Sequence, residues 1–199
     1  MFKLCFASNN AYKLSEVREL LDADCSLLSL TDIGCHEDLP ETQNTIEGNS
    51  RQKAAYVFEK FKIACFADDT GLEVEALNNM PGVHSARYAG DQKNSDDNIS
   101  LLLKNMARYE NRGARFKTVI TIAGSFGIHA FEGILDGEIT DERRGTEGFG
   151  YDPVFRPTGF RKTLAEMTAP EKNAISHRAK AIEKLVFWLR MNRKKLAGP

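Results

Sequence analysis

The sequence predicts an α/β fold, and three observations carry that prediction. Two short apolar runs, residues 4–7 and 63–67, end abruptly in polar residues: Ser8-Asn9-Asn10 after the first, Asp68-Asp69 after the second. Segments with helical spacing lie next to those runs, with Leu14, Val17, Leu20 and Leu21 after the first and Ile46, Ser50, Ala54, Val57, Phe58 and Phe61 before the second. Residues 116–123 (FKTVITIA) are β-branched and pair as a hairpin with residues 127–134 through Gly124-Ser125.

The bulk properties narrow the function classes. The chain has 199 residues, 42% hydrophobic and 28% charged, which suits one domain over residues 1–199, built as a single fold with up to two lobes. A net charge of -1 leaves no global field to draw the chain onto nucleic acid or an anionic membrane. No apolar segment approaches the roughly 20 residues needed to span a bilayer. The N-terminal run MFKLCFASNN is too short for a signal peptide and has no small-residue cleavage site. Cys5, Cys25, Cys35 and Cys65 form no CxxC pair and read as buried thiols. A soluble, cytoplasmic protein is expected.

In chain order, the first strand leads into a helix capped by Asn9 or Asn10, with Lys13 in its first turn. A lysine there opposes the helix dipole, so it is either an exposed side chain or one end of a phosphate site. Residues 22–45 read as irregular, and Glu41 among them reads as a surface acid. The helix from Ile46 carries Lys53 on its apolar stripe, with Asn49 facing the same way. Lys53 must therefore snorkel out or meet an anion inside.

The run 63–67 then ends in Asp68-Asp69-Thr70-Gly71. By itself this reads as a solvated turn, although two acids beside a hydroxyl also suit a hard cation such as Mg²⁺. Residues 72–77 alternate as a half-exposed strand, and a helix starts at Asp96 with Ile99, Leu102, Leu103 and Met106. A separate short strand is expected over 137–140.

Residues 144–153 (RGTEGFGYDP) carry three glycines, but no apolar strand precedes them and Pro153 should hold Asp152 extended, so they are not a dinucleotide-binding loop. They form a glycine loop presenting Phe149 and Tyr151 beside Asp152. Such an aromatic can stack on a planar ring or return to the core. One last helix starts near Pro170 or Glu171, with Thr168 as its candidate cap. Ile175, Ile182, Leu185, Val186 and Leu189 lie on its stripe, with Lys172 and Arg178 on the same line. Arg190, Arg193, Lys194 and Lys195 form a basic tail.

Lys13, Lys53, Lys172 and Arg178, an acid cluster and an aromatic glycine loop together match what a nucleoside triphosphate with a metal requires. No Walker A or kinase motif is present. Five segments, SNNAYK (8–13), ETQNTIEGNSRQKA (41–54), ADDTGLEVEALNNMPGVHSARYAG (67–90), GFGYDPVF (148–155) and EKNAISHRAKA (171–181), occur in the order found in the inosine/xanthosine triphosphate pyrophosphatases, which the chain resembles. The resemblance implies an elongated mixed β-sheet flanked by helices, two lobes with a cleft between them, and a homodimer. It also implies Mg²⁺-dependent hydrolysis of ITP, dITP and XTP to the monophosphate and pyrophosphate.

By position, Asp69 matches the proton acceptor and a metal ligand, and Glu41 a second acid at the metal. Ser8, Asn10, Lys13, Lys53 and Thr70 match triphosphate contacts. Phe149, Asp152, Lys172, His177 and Arg178 match base and nucleotide contacts, and Asn9, Gly150 and Tyr151 fall inside the same segments and are counted with them. Small departures keep every charge: Ser8 and Thr70 exchange one hydroxyl for another, and Gly48 and Ser50 flank Asn49 where an ENA triplet is common. Arg87 reads as a structural ion pair. On the strand, Asp69 shares a face with Cys65 and Ala67 while Asp68 points to the other and reads as a supporting acid. The competing readings are a haloacid-dehalogenase-type phosphatase, whose DxD motif is missing, a Maf-type pyrophosphatase, and a non-catalytic nucleotide sensor.

Overall fold

In the computed structural model, residues 2–10, 13–14, 17 and 25–192 are described. Leu20, Leu21, Arg193, Lys194 and Lys195, which the sequence places on the first helix and the basic tail, lie outside them. The described strands form one mixed sheet in the order β2-β1-β3-β5-β6-β7, with β4 paired to β3. They are β1 (Phe2–Phe6), β2 (Cys25–Leu28), β3 (Cys65–Val74), β4 (Met80–Gly82), β5 (Gly113–Gly124), β6 (Gly127–Ile139) and β7 (Phe155–Pro157). The helices are α1 (Ile46–Phe61), α2 (Ser95–Met106), α3 (Ala169–Ile175) and α4 (His177–Met191). The α/β class expected from the sequence is what forms.

Two compact units divide the chain. The first comprises residues 1–69, 118–133 and 179–199. There β1 pairs in parallel with both β2 and β3, with Cys5 opposite Cys65 and Phe6 opposite Phe66. Parallel strands covered on both faces read as unbroken apolar runs. Leu4, Cys5, Phe6 and Ala7 are accordingly all fully buried. Alternate residues serve opposite faces. Leu4, Phe6 and Phe66 pack with Ile182, Leu185 and Leu189 of α4, while Cys5, Ala7, Cys65 and Ala67 pack with Ala54 and Val57 of α1. The cysteines are free thiols, and burial pushes Cys5 and Cys65 up to about 12.

The second unit comprises residues 70–117 and 134–178. Its core gathers Leu72 and Val74 of β3, Ile99, Leu102 and Met106 of α2, Phe116 of β5, and Tyr151, Val154 and Phe155. Asn94 caps α2, its side chain accepting from the amides of Asp96 and Asp97.

Several expectations need correction. Residues 22–45 are not wholly irregular, because Cys25–Leu28 forms the half-buried strand β2, too short to show a period. The DDTG segment is not a turn. β3 runs straight through it, and Gly71 does not take a left-handed conformation. Continuing the strand buries Leu72 and Val74 completely, which outweighs the turn preference of the glycine. Residues 137–139 are no separate strand but the end of the long β6, and Thr140 lies just past it. The last helix is two helices, broken at Ser176, which is extended at φ -64°, ψ 148°. Asp152 is not extended before Pro153; it opens a 3-10 turn over Asp152–Val154, where the proline occupies the first turn without losing a needed donor.

Candidate active site

Each unit holds one cluster of the residues singled out from the sequence, and the two are consecutive in the chain at Asp69 and Thr70 of β3. The first cluster starts at the end of β1. The Ser8 hydroxyl accepts from the Asn10 amide at 3.2 Å, and Asn10 Oδ1 accepts from the Lys13 amide at 3.2 Å. Asn10 is therefore the residue that caps the helical turn of Lys13, while Asn9 is exposed beside it. The cap turns the chain so that Lys13 Nζ meets Asp68 Oδ2 at 2.9 Å. The Asp68 side chain is only 1% exposed, so a cation beside it is a physical requirement. Sequence reasoning assigned Asp68 a supporting part without a partner; the structure names the partner as Lys13.

On the opposite face of β3, Asp69 meets α1. Lys53 Nζ donates to Glu41 Oε1 at 2.6 Å and to Asp69 Oδ1 at 3.4 Å. Lys53 does not snorkel, its side chain being 8% exposed between the two acids. Burial works against the charge on Lys53, yet Asp69, Glu41 and Asp68 together outweigh it and raise its pKa. Burial likewise raises Asp69, against the pull of Lys53 and Lys13, and Glu41 and Asp68 add to the rise. Ser50, a turn of α1 away, donates to Ala67 O at 3.0 Å and is 2.9 Å from Thr121 Oγ1, pinning the helix to the sheet beside the acids.

Asp69 Oδ2 is buried and accepts no hydrogen bond among the described residues. A buried carboxylate oxygen in that position fits a bound cation. The described residues contain no group of three or more His, Cys, Asp or Glu arranged to hold a metal. Asp69 and Glu41, both on Lys53 Nζ, are the two carboxylates that could share a cation.

The second cluster is built around Asp152, 4% exposed. Its Oδ2 accepts from the Phe149 amide at 2.9 Å and from Lys172 Nζ at 2.8 Å. Gly148, at φ +80°, is required here, since a Cβ on it would collide with the Asp152 carboxylate. The glycine loop is thus wrapped onto one acid, and Phe149 stands half-buried with Lys172 Nζ 4.7 Å and Arg178 Cζ 5.9 Å from its ring centroid. Gly150, at φ +61°, turns the chain back beside it.

Tyr151 differs from expectation. It is not presented with Phe149 but is 5% exposed in the core, donating its hydroxyl to Ser85 O at 2.9 Å. Burial raises its pKa far above the usual phenol range. Thr168 and Glu171 form a capping box at the start of α3, which places Lys172. His177, at the start of α4, stacks on Phe116 with ring centroids 4.9 Å apart. Arg178 is 3% exposed and reaches Thr70 Oγ1 at 3.4 Å. Arg87 is half-buried and forms no ion pair among the described residues, so it is not the structural pair expected of it.

The profile of the Ham1 family matches residues 4–188. A dITP/XTP pyrophosphatase of Flavobacterium johnsoniae is 54% identical over 184 residues, 92% of this chain and 96% of that protein. Another, of Porphyromonas gingivalis, is 50% identical over 186 residues, 93% and 96% of the two chains. Among solved structures, the Staphylococcus aureus Ham1 protein aligns with a TM-score of 0.90 at 36% identity, covering 96% of this chain and 99% of that one. A Mycobacterium abscessus nucleoside-triphosphatase, also titled dITP/XTP pyrophosphatase, aligns with a TM-score of 0.79 at 41% identity, covering 92% and 98%.

Proposed function

The chain belongs to the Ham1 family, and from that membership we propose that it hydrolyses the non-canonical purine nucleotides dITP, XTP and ITP to the monophosphate and pyrophosphate. The observation that carries the reading is Asp69: a buried carboxylate with one oxygen on Lys53 and the other without a hydrogen-bond partner among the described residues, at the end of a run of apolar strand. Relatives sharing half of the sequence over nearly its full length bear the name dITP/XTP pyrophosphatase.

The chemistry follows from the two clusters. Asp69 and Glu41 would hold Mg²⁺, which supplies Lewis-acid polarisation of phosphate oxygens. Asp69 takes the proton of the water that attacks the α-phosphorus. Lys13 and Lys53 stabilise the charge that collects on the leaving pyrophosphate, with Ser8, Asn9, Asn10 and Thr70 as neutral donors to the phosphate oxygens.

The base stacks on Phe149, whose loop Gly150, Tyr151 and Asp152 shape. Lys172, His177 and Arg178 supply donors to the base and the nucleotide. A donor aimed at a 6-oxo group rejects the 6-amino group of adenine, because it would face another donor in a site with little water. The protein acts on free nucleotides, as a cytoplasmic homodimer, with neither nucleic acid nor membrane as a partner. The near-neutral charge supports the lack of a nucleic-acid or anionic-membrane partner. No described helix is long and apolar enough to cross a membrane.

The test is a panel of ITP, dITP, XTP, ATP and GTP incubated with Mg²⁺ and resolved by chromatography. ITP, dITP and XTP should fall to monophosphates with one pyrophosphate each, while ATP and GTP persist. Stepwise release of orthophosphate, or equal loss of ATP, would sink the reading.

A further inference from the structure

Three consecutive residues before α1 are each tied to a different residue of that helix. Glu41 Oε1 accepts from Lys53 Nζ at 2.6 Å. Thr42 and Gln52 are joined twice: the Thr42 amide donates to Gln52 Oε1 at 3.0 Å, and Gln52 Nε2 donates to Thr42 Oγ1 at 2.9 Å. The Gln43 amide donates to Asn49 Oδ1 at 2.9 Å. The helix partners descend, 53, 52, 49, as the segment ascends, so the segment runs antiparallel along α1 before Thr45 caps the helix through the Gly48 amide.

A second observation points the same way. A Cβ on Gly48 would lie 2.7 Å from Gln43 Cβ and 2.9 Å from Thr45 Oγ1. Gln43 Cβ is the root of its side chain and cannot swing aside. Gly48 is therefore the point of closest approach between segment and helix, at the expense of helix propensity.

We propose that Gln52 and Asn49, on the seat made by Gly48, are positioning residues that hold Glu41 where it serves as the second metal ligand. This rests on the reading of Glu41 given above. The Glu41 side chain is 38% exposed, and an ion pair exposed to that degree is a weak tether. The bonds to the amides of Thr42 and Gln43 fix the backbone next to Glu41, so its carboxylate stays beside Asp69 without an ordering cost when a cation arrives.

The experiment uses the full chain with Mg²⁺ and ITP. It reads three quantities: the Mg²⁺ concentration for half-maximal hydrolysis, the metal-free hydrogen exchange of the Thr42 and Gln43 amides by NMR, and Tm. Gln52→Leu should speed Thr42 exchange and raise the Mg²⁺ requirement about tenfold, the size expected for losing two net hydrogen bonds. Gln52→Glu should restore both, because a carboxylate accepts from the Thr42 amide and hydroxyl alike. Gly48→Ala, whose Cβ must push the segment off the helix, should raise the Mg²⁺ requirement and speed exchange of the Gln43 amide together, whatever the gain in helix propensity leaves of Tm. Faster exchange with an unchanged Mg²⁺ requirement in Gln52→Leu would overturn the proposal, as would an unchanged requirement in Gly48→Ala. Glu41→Gln is the separate control. If it alone left the requirement unchanged, the ligand reading of Glu41 would fall and take this proposal with it, by a result distinct from the first.

Discussion

Replacing Asp152 removes the group that organises the second cluster, and the size of the effect can be worked from its contacts. Oδ2 receives a backbone amide and a buried ammonium, from Phe149 and Lys172, and both charged side chains of the pair are close to fully buried at 5% and 11% exposed. Breaking a buried pair by removing one partner costs about 3–5 kcal/mol, chiefly because the remaining charge stays desolvated. Asp152→Asn keeps an acceptor oxygen and the side-chain volume, and the Phe149 ring at 4.7 Å still faces the Lys172 ammonium. Its cost therefore belongs at the lower end, about 3 kcal/mol, and Asp152→Ala above it, about 4–5 kcal/mol. At about 2–4 °C per kcal/mol for a chain of this size, Asp152→Asn should lower Tm by about 6–12 °C. Thermal unfolding followed by circular dichroism measures this directly. A shift under about 2 °C for Asp152→Asn would refute the argument, since it would mean the charge is not what holds the loop. Equal losses in the two variants would show instead that the acceptor oxygen kept by asparagine contributes nothing, contrary to the larger cost expected of Asp152→Ala.

Three further outcomes follow from the same geometry. Asp69→Asn should lower turnover of ITP by about 10²–10⁴, the usual contribution of a general base, while calorimetry still detects nucleotide binding; full activity would remove Asp69 from the mechanism. Lys53→Met takes away the cation between Glu41 and Asp69 and should cost about 2 kcal/mol, with added Mg²⁺ restoring part of the lost Tm; a Tm indifferent to Mg²⁺ would argue against a cation site there. Tyr151→Phe strips the hydroxyl from the buried contact with Ser85 O and should lower Tm by about 2–8 °C, and an unchanged Tm would show that the bond is not needed to hold the loop.

Much of the site was legible because buried charge stands out against a periodic background. Lys53 on the apolar stripe of α1 could only snorkel or meet an anion, and it meets Glu41 and Asp69. The period of a strand separates Asp68 from Asp69, and the two acids do bond to lysines from different elements. Thr168 marks the start of α3 as a candidate cap, and the structure completes it as a capping box with Glu171. Other features left no local trace. Gly71 has the composition of a turn, yet β3 continues because Leu72 and Val74 find a core in the second unit. Ser176 is neither proline nor glycine, so nothing in its neighbourhood marks the break between α3 and α4. Tyr151 reads like Phe149 in the sequence, yet it packs into the core of the second unit with its hydroxyl on the carbonyl of Ser85, 66 positions away.

The sequence by itself determined the α/β class, the lysines and acids that need partners, and the glycine loop, because each depends on spacing along the chain or on the expense of burying a charge. The tertiary structure decided which partner each charge takes: Lys13 with Asp68, Lys53 with Glu41 and Asp69, Lys172 with Asp152. It also decided where the strands and helices stop. Those choices rest on contacts between residues distant in the chain, and the energy of such contacts is absent from any local window.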